Sequence, residues 1–342
     1  MNLNNRIETF SSLGGILRAA VDAIDTPFTS GLENLINTQQ YVNPWFTPEN
    51  VRSAVRAIAN ELTYENLTEW TGRYPELGSW KNISSVGVVM AGNIPLAGFH
   101  DFLSVLITGN NIIAKTSSKD PDLIGFIADI LTEVDPSLKG SISFSDGPLK
   151  GFDSVIATGS DNSSRYFEYY FGRYPHIIRK NRNSVAVIDG SESENDIAGL
   201  GNDVFSYFGL GCRNVSKIFL PKGYDIRDIT KKWHGFEHII NHNKYANNYD
   251  YNKAVYIVSR ESFTDTGYLL LKESRHLSSP VAVLHYEYYS SLSDVLKEIE
   301  AMSEKIQCVI SRDRVKFGSA QSPYLWDYAD GVDTIEFLLK KN

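Results

Sequence analysis

One cysteine, Cys212, lies between a glycine-spaced turn and an apolar strand in the stretch SYFGLGCRNVSKIFLP, residues 206–221. A thiolate is a nucleophile, and its pKa falls from about 8.5 when a helix N-terminus or a cation is near. Gly209 and Gly211 remove two side chains just before Cys212, so an electrophilic carbon can approach and the Cys212 amide can face its oxygen. Arg213 adds a neighbouring positive charge. The other reading is a buried cysteine acting as a small hydrophobe. This stretch alone leaves both open.

Other segments carry candidate chemistry, each beside a plainer reading. TGSDN, residues 158–162, follows an apolar run and precedes a helical one, so its amides can meet a pyrophosphate with the helix dipole behind them. It can equally be a turn capped by Ser160 or Asp161. GNNIIAKT, from Gly109, departs from the phosphate-loop pattern at Ala114, and the β-branched Ile112 and Ile113 place it within a strand. Lys115 then ends that strand at the sheet edge, where a lysine holds a ribose or phosphate or is simply solvated. No G-x-G-x-x-G follows any predicted strand. HGFEH, residues 234–238, matches H-x-x-E-H, but Gly235 weakens a helix there and no clear third ligand follows, so no metal site is expected. WDYADGVDT, 326–334, lacks the spacing and final glutamate of a calcium loop and reads as the cap of a terminal helix.

These segments need a scaffold. Residues 1–80 show helical spacing and read as two or three helices, one of them capped by Thr47 with Pro48 and Glu49 in its first turn. Trp45, Phe46, Trp70 and Tyr74 are expected to pack there. From Ser85, VGVVM and NNIIAKT are doubly apolar strands joined by AGNIPLAG and a helix, a β-loop-α-β unit whose right-handed crossover puts both loops at the carboxyl edge of a parallel sheet. SISFSDG and FDSVIATGS repeat the strand pattern. SVAVIDGS, KIFLP, KAVYIVS, PVAVLHYE and KIQCVIS supply the strands of a second lobe, with Cys308 as core in the last. The fold class is therefore α/β: a doubly wound cofactor-binding domain with a helical arm over 1–183, a catalytic α/β domain over 184–320, and a terminal segment, 321–342, returning to the cofactor domain or to a dimer partner.

Composition narrows the function. With 342 residues, 42% hydrophobic and 22% charged, the chain is globular. A net charge of −8 argues against a nucleic-acid partner. No apolar run approaches membrane-spanning length and no leader pattern opens the chain, so a cytoplasmic location is expected, with both cysteines reduced and the four N-x-S/T matches fortuitous.

In this order, the pieces resemble the aldehyde dehydrogenase superfamily, in particular its acyl-CoA reductase branch, which includes the fatty-acid reductase subunit of bacterial luminescence. The likeness runs from about Trp45 to Leu338, is best spaced between Val86 and Pro221, and extends to the ending FGSAQSPYLWDYADGVDTIEFL. It implies an aldehyde-dehydrogenase-like fold, usually dimeric. It makes Cys212 the nucleophile and Asn93 of AGNIP an oxyanion donor beside the Cys212 amide. It places Lys115 on the adenosine ribose and Gly159 and Ser160 beside the pyrophosphate.

Departures refine the expectation. Hydrolytic members carry a glutamate base where this chain reads IIRKNRNS, with Ile178 or Arg179 near that place. Without a base to activate water, an acyl-cysteine reacts with a thiol or a hydride. Ser118 stands where an acidic ribose ligand is expected and Lys119 follows, which tolerates a 2′-phosphate and favours NADPH over NADH. The glutamate that grips the nicotinamide ribose is not evident, and RHLSSPV offers His276 or its neighbours. The expected reaction is reduction of a long-chain acyl-CoA, or acyl-carrier, thioester to the aldehyde. The alternatives are reduction of a smaller acyl-CoA or an acyl phosphate, and a catalytically silent nucleotide-binding scaffold.

Overall fold

Apolar strands alternate with helices in each of two units, one comprising residues 1–181 with the segment from Tyr324 onward, the other Arg182–Pro323. The computed structural model describes residues 1–80 and 82–340.

The first unit opens with α1 (Leu3–Val21), α2 (Thr29–Val42), α3 (Pro48–Glu61) and α4 (Tyr64–Gly72). There are four helices where the spacing predicts two or three. The extra length lies in α1, whose central Gly14 and Gly15 weaken the helical signal. Gly14 is nevertheless required, because a Cβ there would strike the backbone and Cβ of Leu62. Thr47 caps α3 by accepting the Asn50 N–H, with Pro48 and Glu49 in the first turn. Phe46 and Trp70 are wholly buried, and Trp45 and Tyr74 pack against the same core.

The sheet of this unit consists of β1 (Ser85–Val89), β2 (Asn111–Lys115), β3 (Ile142–Phe144), β4 (Ser154–Thr158) and β5 (His176–Arg179), with α5 (Phe99–Ile107), α6 (Leu123–Val134) and α7 (Asp161–Phe171) between them. Its order is β3-β2-β1-β4-β5 and all its pairings are parallel. The order reverses between β1 and β4, and the crevice outside the carboxyl ends at such a point is where open α/β sheets bind ligands.

The second unit contains β6 (Asn183–Val187), α8 (Glu194–Phe205), β7 (Val215–Pro221), α9 (Ile226–Thr230), α10 (Asn243–Val258), β8 (Thr264–Asp265), β9 (Leu270–Glu273), β10 (Val283–Tyr289), α11 (Leu292–Ala301) and β11 (Ile306–Ile310). The sheet order is β11-β6-β7-β10-β9-β8, parallel except for the β8–β9 edge. One expectation is corrected here: KAVYIVS is the end of helix α10 and not a strand. Tyr245, Tyr249, Asn252 and Tyr256 are buried at helical spacing, whereas Val255, Ile257 and Val258 are exposed. Burial of the tyrosine face overrides the strand preference of the β-branched residues. A final helix, α12 (Thr334–Leu339), belongs to the first unit and is capped by Asp333, which accepts the Glu336 N–H.

Candidate active site

In the first unit, the carboxyl ends of the neighbouring strands β2, β1 and β4 bring Lys115, Ser118 and Lys119, Asn93, and Gly159 and Ser160 to one sheet edge. After β1 the ladder continues as Met90 donates its N–H to the Lys115 carbonyl at 2.9 Å. Gly92 then lies against the turn that follows β2. A Cβ at Gly92 would sit 2.5 Å from Ser117 Oγ and 3.1 Å from Lys119 Cβ, so only glycine lets the two loops meet. Asn93 is exposed on this loop.

Leu96 shapes the same loop. It takes a left-handed φ of 58°, unusual for a branched side chain, and donates its N–H to Asp120 Oδ2 at 2.8 Å. Asp120 is buried, and burial raises its pKa to about 6, although the N–H groups of Leu96 and Leu123 favour its charged form. Its second oxygen, Oδ1, makes no well-formed hydrogen bond. Asp120 is a positioning residue that the motifs do not announce; its only signal is an acid next to a proline between two apolar segments.

Lys115 donates to the Gly147 carbonyl at 2.7 Å, and Ser118 and Lys119 are exposed. Ser160 caps α7 by accepting the Ser163 N–H, the plainer of the two readings of TGSDN. A Cβ at Gly159 would come within 2.8 Å of both Ser163 and Phe167, so the backbone there is bare by necessity. An ammonium, exposed hydroxyl and lysine groups and the N-terminus of an eleven-residue helix form a donor set that suits the anionic dinucleotide implied by the fold.

Arg179 is structural. It is 3% exposed, forms a two-point ion pair with Asp101 (2.8 and 3.3 Å), and donates to Thr334 Oγ1 and the Ala329 carbonyl. The IIRKNRNS segment thus holds a fully partnered cation that ties down the segment from Tyr324 onward. Trp70 and Tyr74 add to this anchor: Trp70 donates to the Tyr328 hydroxyl at 2.7 Å and Tyr74 to Asp333 at 2.5 Å, while Arg73 lies over the Trp326 ring.

In the second unit, α8 begins with a capping box between Ser193 and Asp196 and leads directly into the cysteine turn. Tyr207 (φ 52°), Phe208 (φ 57°) and Gly209 (φ 75°) are all left-handed. For two consecutive aromatic residues this is a strained conformation, costing about 1 kcal/mol or more each. Asn214 holds it: its Oδ1 accepts the Gly211 N–H at 2.8 Å, and its Nδ2 donates to the carbonyls of Asp203 (3.1 Å) and Ser206 (2.8 Å). Arg213 points to the Ala320 carbonyl at 2.5 Å. Asp203, raised by burial to about 6, accepts the N–H groups of Gly318 and Ala320. Cys212 is half-buried, and its carbonyl accepts the Ser184 hydroxyl at 2.9 Å. That hydroxyl also lies 3.0 Å from the sulfur of the buried Cys308, and neither cysteine is in a disulfide.

The loop containing RHLSSPV is pinned in a way the sequence does not reveal. Three successive carbonyls accept side-chain donors: Arg275 from Lys217 Nζ (3.1 Å), His276 from His285 Nδ1 (3.1 Å) and Leu277 from Ser216 Oγ (2.7 Å). Lys217 is fully buried and pairs with Glu287 at 2.6 Å, and His276 itself is exposed. HGFEH lies in a 3-10 helix, His234–Asn241, whose threefold repeat turns His234 and His238 to different sides. No group of three or more metal-ligating side chains occurs among the described residues.

Comparison with known proteins agrees with this architecture. The family model described as acyl-CoA reductase (LuxC) matches residues 31–280. Two proteins named long-chain acyl-protein thioester reductase, from Photorhabdus laumondii and Aliivibrio fischeri, are each 25% identical over 146 residues, 38% of this chain. The chain spans 30% of the length of these relatives. Among solved structures, aldehyde dehydrogenase 21 from Physcomitrella patens aligns over 92% of this chain and 74% of its own, with a TM-score of 0.65 and 12% identity. The NAD-dependent aldehyde dehydrogenase of Sinorhizobium meliloti aligns over 91% and 71%, with a TM-score of 0.64 and 12% identity. These structural likenesses show the fold, an α/β architecture of the aldehyde dehydrogenase type with largely parallel sheets. By the match of its family model over most of its length, the chain belongs to the acyl-CoA reductase (LuxC) family.

Proposed function

We propose that this chain reduces a long-chain acyl thioester to the aldehyde through an acyl intermediate on Cys212, with NADPH, or less effectively NADH, as hydride donor. The observation that carries the proposal is the strained turn before Cys212, whose left-handed residues are held by the three hydrogen bonds of Asn214. A backbone held so far from its relaxed conformation is a feature of sites where a reacting group must be presented.

In the proposed reaction the Cys212 thiolate attacks the thioester carbon and a new C–S bond forms. The oxyanion accepts a hydrogen bond from the Cys212 amide, and the resemblance makes Asn93 a further donor. The carrier thiolate leaves as its own C–S bond breaks, and the acyl group remains on Cys212. A bound reduced nicotinamide supplies the hydride that takes the acyl carbon to the aldehyde level. Loss of the aldehyde restores the Cys212 thiolate. Arg179, committed to Asp101 and the chain end, gives the IIRK segment no group to activate water, which favours hydride over hydrolysis. Lys115 and the α7 N-terminus beside Gly159 and Ser160 would bind the dinucleotide phosphates and ribose, and Ser118 with Lys119 would accommodate a 2′-phosphate.

The donor carries CoA or a protein thiol, and the names of the curated relatives favour a protein. No helix among the described residues is long and apolar enough to cross a membrane. A homodimer is proposed from the resemblance alone. The test is aldehyde formation from palmitoyl-CoA and from palmitoylated protein, each with NADPH and with NADH. The expected result is aldehyde, formed at least ten-fold faster with NADPH. Release of palmitate without aldehyde, or no product from either donor, would sink the proposal.

A further inference from the structure

In the sheet of the second unit β6 runs between β11 and β7, and both neighbours gain a residue where they pass Ser184. On β7, Val215 and Lys217 oppose the consecutive residues Ser184 and Val185, so Ser216 is extra. On β11, the three steps from Ile306 to Val309 match the two steps from Asn183 to Val185. Bulges are rare in parallel sheets and are over-represented next to active sites, where they re-aim side chains. Here two of them flank one residue.

Ser184 is wholly buried, and its hydroxyl is fully used. A hydroxyl has one proton to donate and two lone pairs. The proton goes to the Cys212 carbonyl at 2.9 Å, because a carbonyl can only accept. The lone pairs face the Cys308 N–H at 3.2 Å and the Cys308 thiol at 3.0 Å, so the thiol is the donor of that last contact. In a regular strand the N–H and the side chain of one residue diverge; at this bulge both groups of Cys308 reach the same oxygen.

The consequence falls on Cys212. The Gly211 carbonyl accepts the Asn214 N–H at 3.0 Å, which fixes the peptide plane before the cysteine. Ser184 fixes the plane after it. In a planar trans peptide the N–H lies opposite the carbonyl, so the first bond sets where the Cys212 N–H points. The two planes together set the backbone angles of Cys212 and the direction of its Cα–Cβ bond.

We infer that Ser184 is a positioning residue for acyl transfer, aligning the Cys212 thiol with the Cys212 amide so that attack and oxyanion stabilisation fall on one carbonyl. The inference rests on the acyl-cysteine reading above and adds which buried group aims the nucleophile. Ser184 acts through the main chain of Cys212 and not on the substrate.

The test compares two reactions of Cys212, both read on its peptide by mass spectrometry: acylation by palmitoyl-CoA or palmitoylated protein, whichever the wild type accepts, and alkylation by iodoacetamide. Alkylation needs only an accessible thiolate, whereas acylation also needs the amide aligned with the thiol. Ser184→Ala should slow acylation about ten-fold or more, since a misplacement of about 1 Å is enough for a hundred-fold loss. Alkylation should stay within about two-fold of wild type, because it follows thiolate character and exposure. Cys308→Ala removes packing but keeps the hydroxyl and both of its main-chain partners, so the ratio of the two rates should hold its wild-type value. A wild-type ratio in Ser184→Ala, or an equal fall in Cys308→Ala, would overturn the inference. Should Ser184→Ala fail to fold, Ser184→Cys replaces it, because a thiol fills the site yet is a weak donor, and the same fall in the ratio is expected. If the wild type is acylated by neither donor, the parent reading fails and this assignment falls with it; normal wild-type acylation with an unchanged ratio in the variant removes Ser184 alone.

Discussion

The loop after β1 and the turn before β7 solve one problem in two ways. Each presents a candidate catalytic side chain, Asn93 or Cys212, and each contains left-handed residues other than glycine: Leu96 in the first, Tyr207 and Phe208 in the second. Each also has a buried aspartate with a pKa raised to about 6. They differ in how that acid acts. Asp120 holds the first loop directly through the Leu96 N–H and leaves one oxygen without a well-formed partner. Asp203 has two good main-chain bonds and acts at one remove, because Asn214 shapes the turn itself. A loop whose one side-chain anchor is a single aspartate contact should yield to a substitution near it, whereas the cysteine turn should resist until its central asparagine is removed.

The largest effect is expected at Asn93. Asn93→Ala should lower turnover about 100-fold or more, the loss typical of one oxyanion donor, with dinucleotide affinity unchanged by fluorescence titration. Full turnover in this variant would remove Asn93 from the chemistry. Next comes Asn214→Ala, which strands the half-buried Gly211 N–H and two carbonyls. It should cost about 2–3 kcal/mol in urea unfolding and slow alkylation-sensitive acylation at Cys212. A cost below 1 kcal/mol would mean that Asn214 does not hold the turn.

A smaller loss should follow Gly92→Ala, whose Cβ must displace Ser117 and Lys119. The expected destabilisation is about 1–3 kcal/mol by the same unfolding assay. A neutral result would show that the two loops of the first unit can part without penalty.

The smallest effect is a pH dependence. Burial lifts the folded-state pKa of Asp120 from 3.8 to about 6, so the folded chain holds a proton there that the unfolded chain has released. This contribution stabilises the fold as pH falls through that window and is lost as pH climbs past 6. Asp120→Asn cannot titrate, so its melting temperature relative to wild type should be higher by about 2 °C or more at pH 7.5 than at pH 4.5. A difference that does not vary with pH would place the Asp120 pKa near its ordinary value.

Much of this architecture was legible because it is written in local patterns. The doubly apolar strands VGVVM, NNIIAKT and KIFLP, and the caps at Thr47 and Asp333, follow from short-range chemistry that the tertiary structure did not override. KAVYIVS was misread because periodicity over seven residues cannot reveal that a tyrosine face sixteen residues long is the buried one. The positioning groups were out of reach for another reason. Asp120 to Leu96, Asp203 to Ala320, and Arg179 to Thr334 join residues 24 to 155 positions apart, and no motif marks a side chain whose work is to satisfy a distant backbone group. Lys217 was the least legible, since a lysine in a strand is ordinarily solvated, and here it is fully buried to pin the Arg275 carbonyl.

The decisive measurement is intact mass after brief mixing with a palmitoyl thioester, for wild type and Cys212→Ala, followed by addition of NADPH. An adduct of one palmitoyl group on wild type alone, discharged by NADPH with release of hexadecanal, is the expected result. No adduct with any acyl donor, in protein that still binds the dinucleotide, would contradict the assignment of Cys212 as nucleophile and leave a nucleotide-binding scaffold in its place.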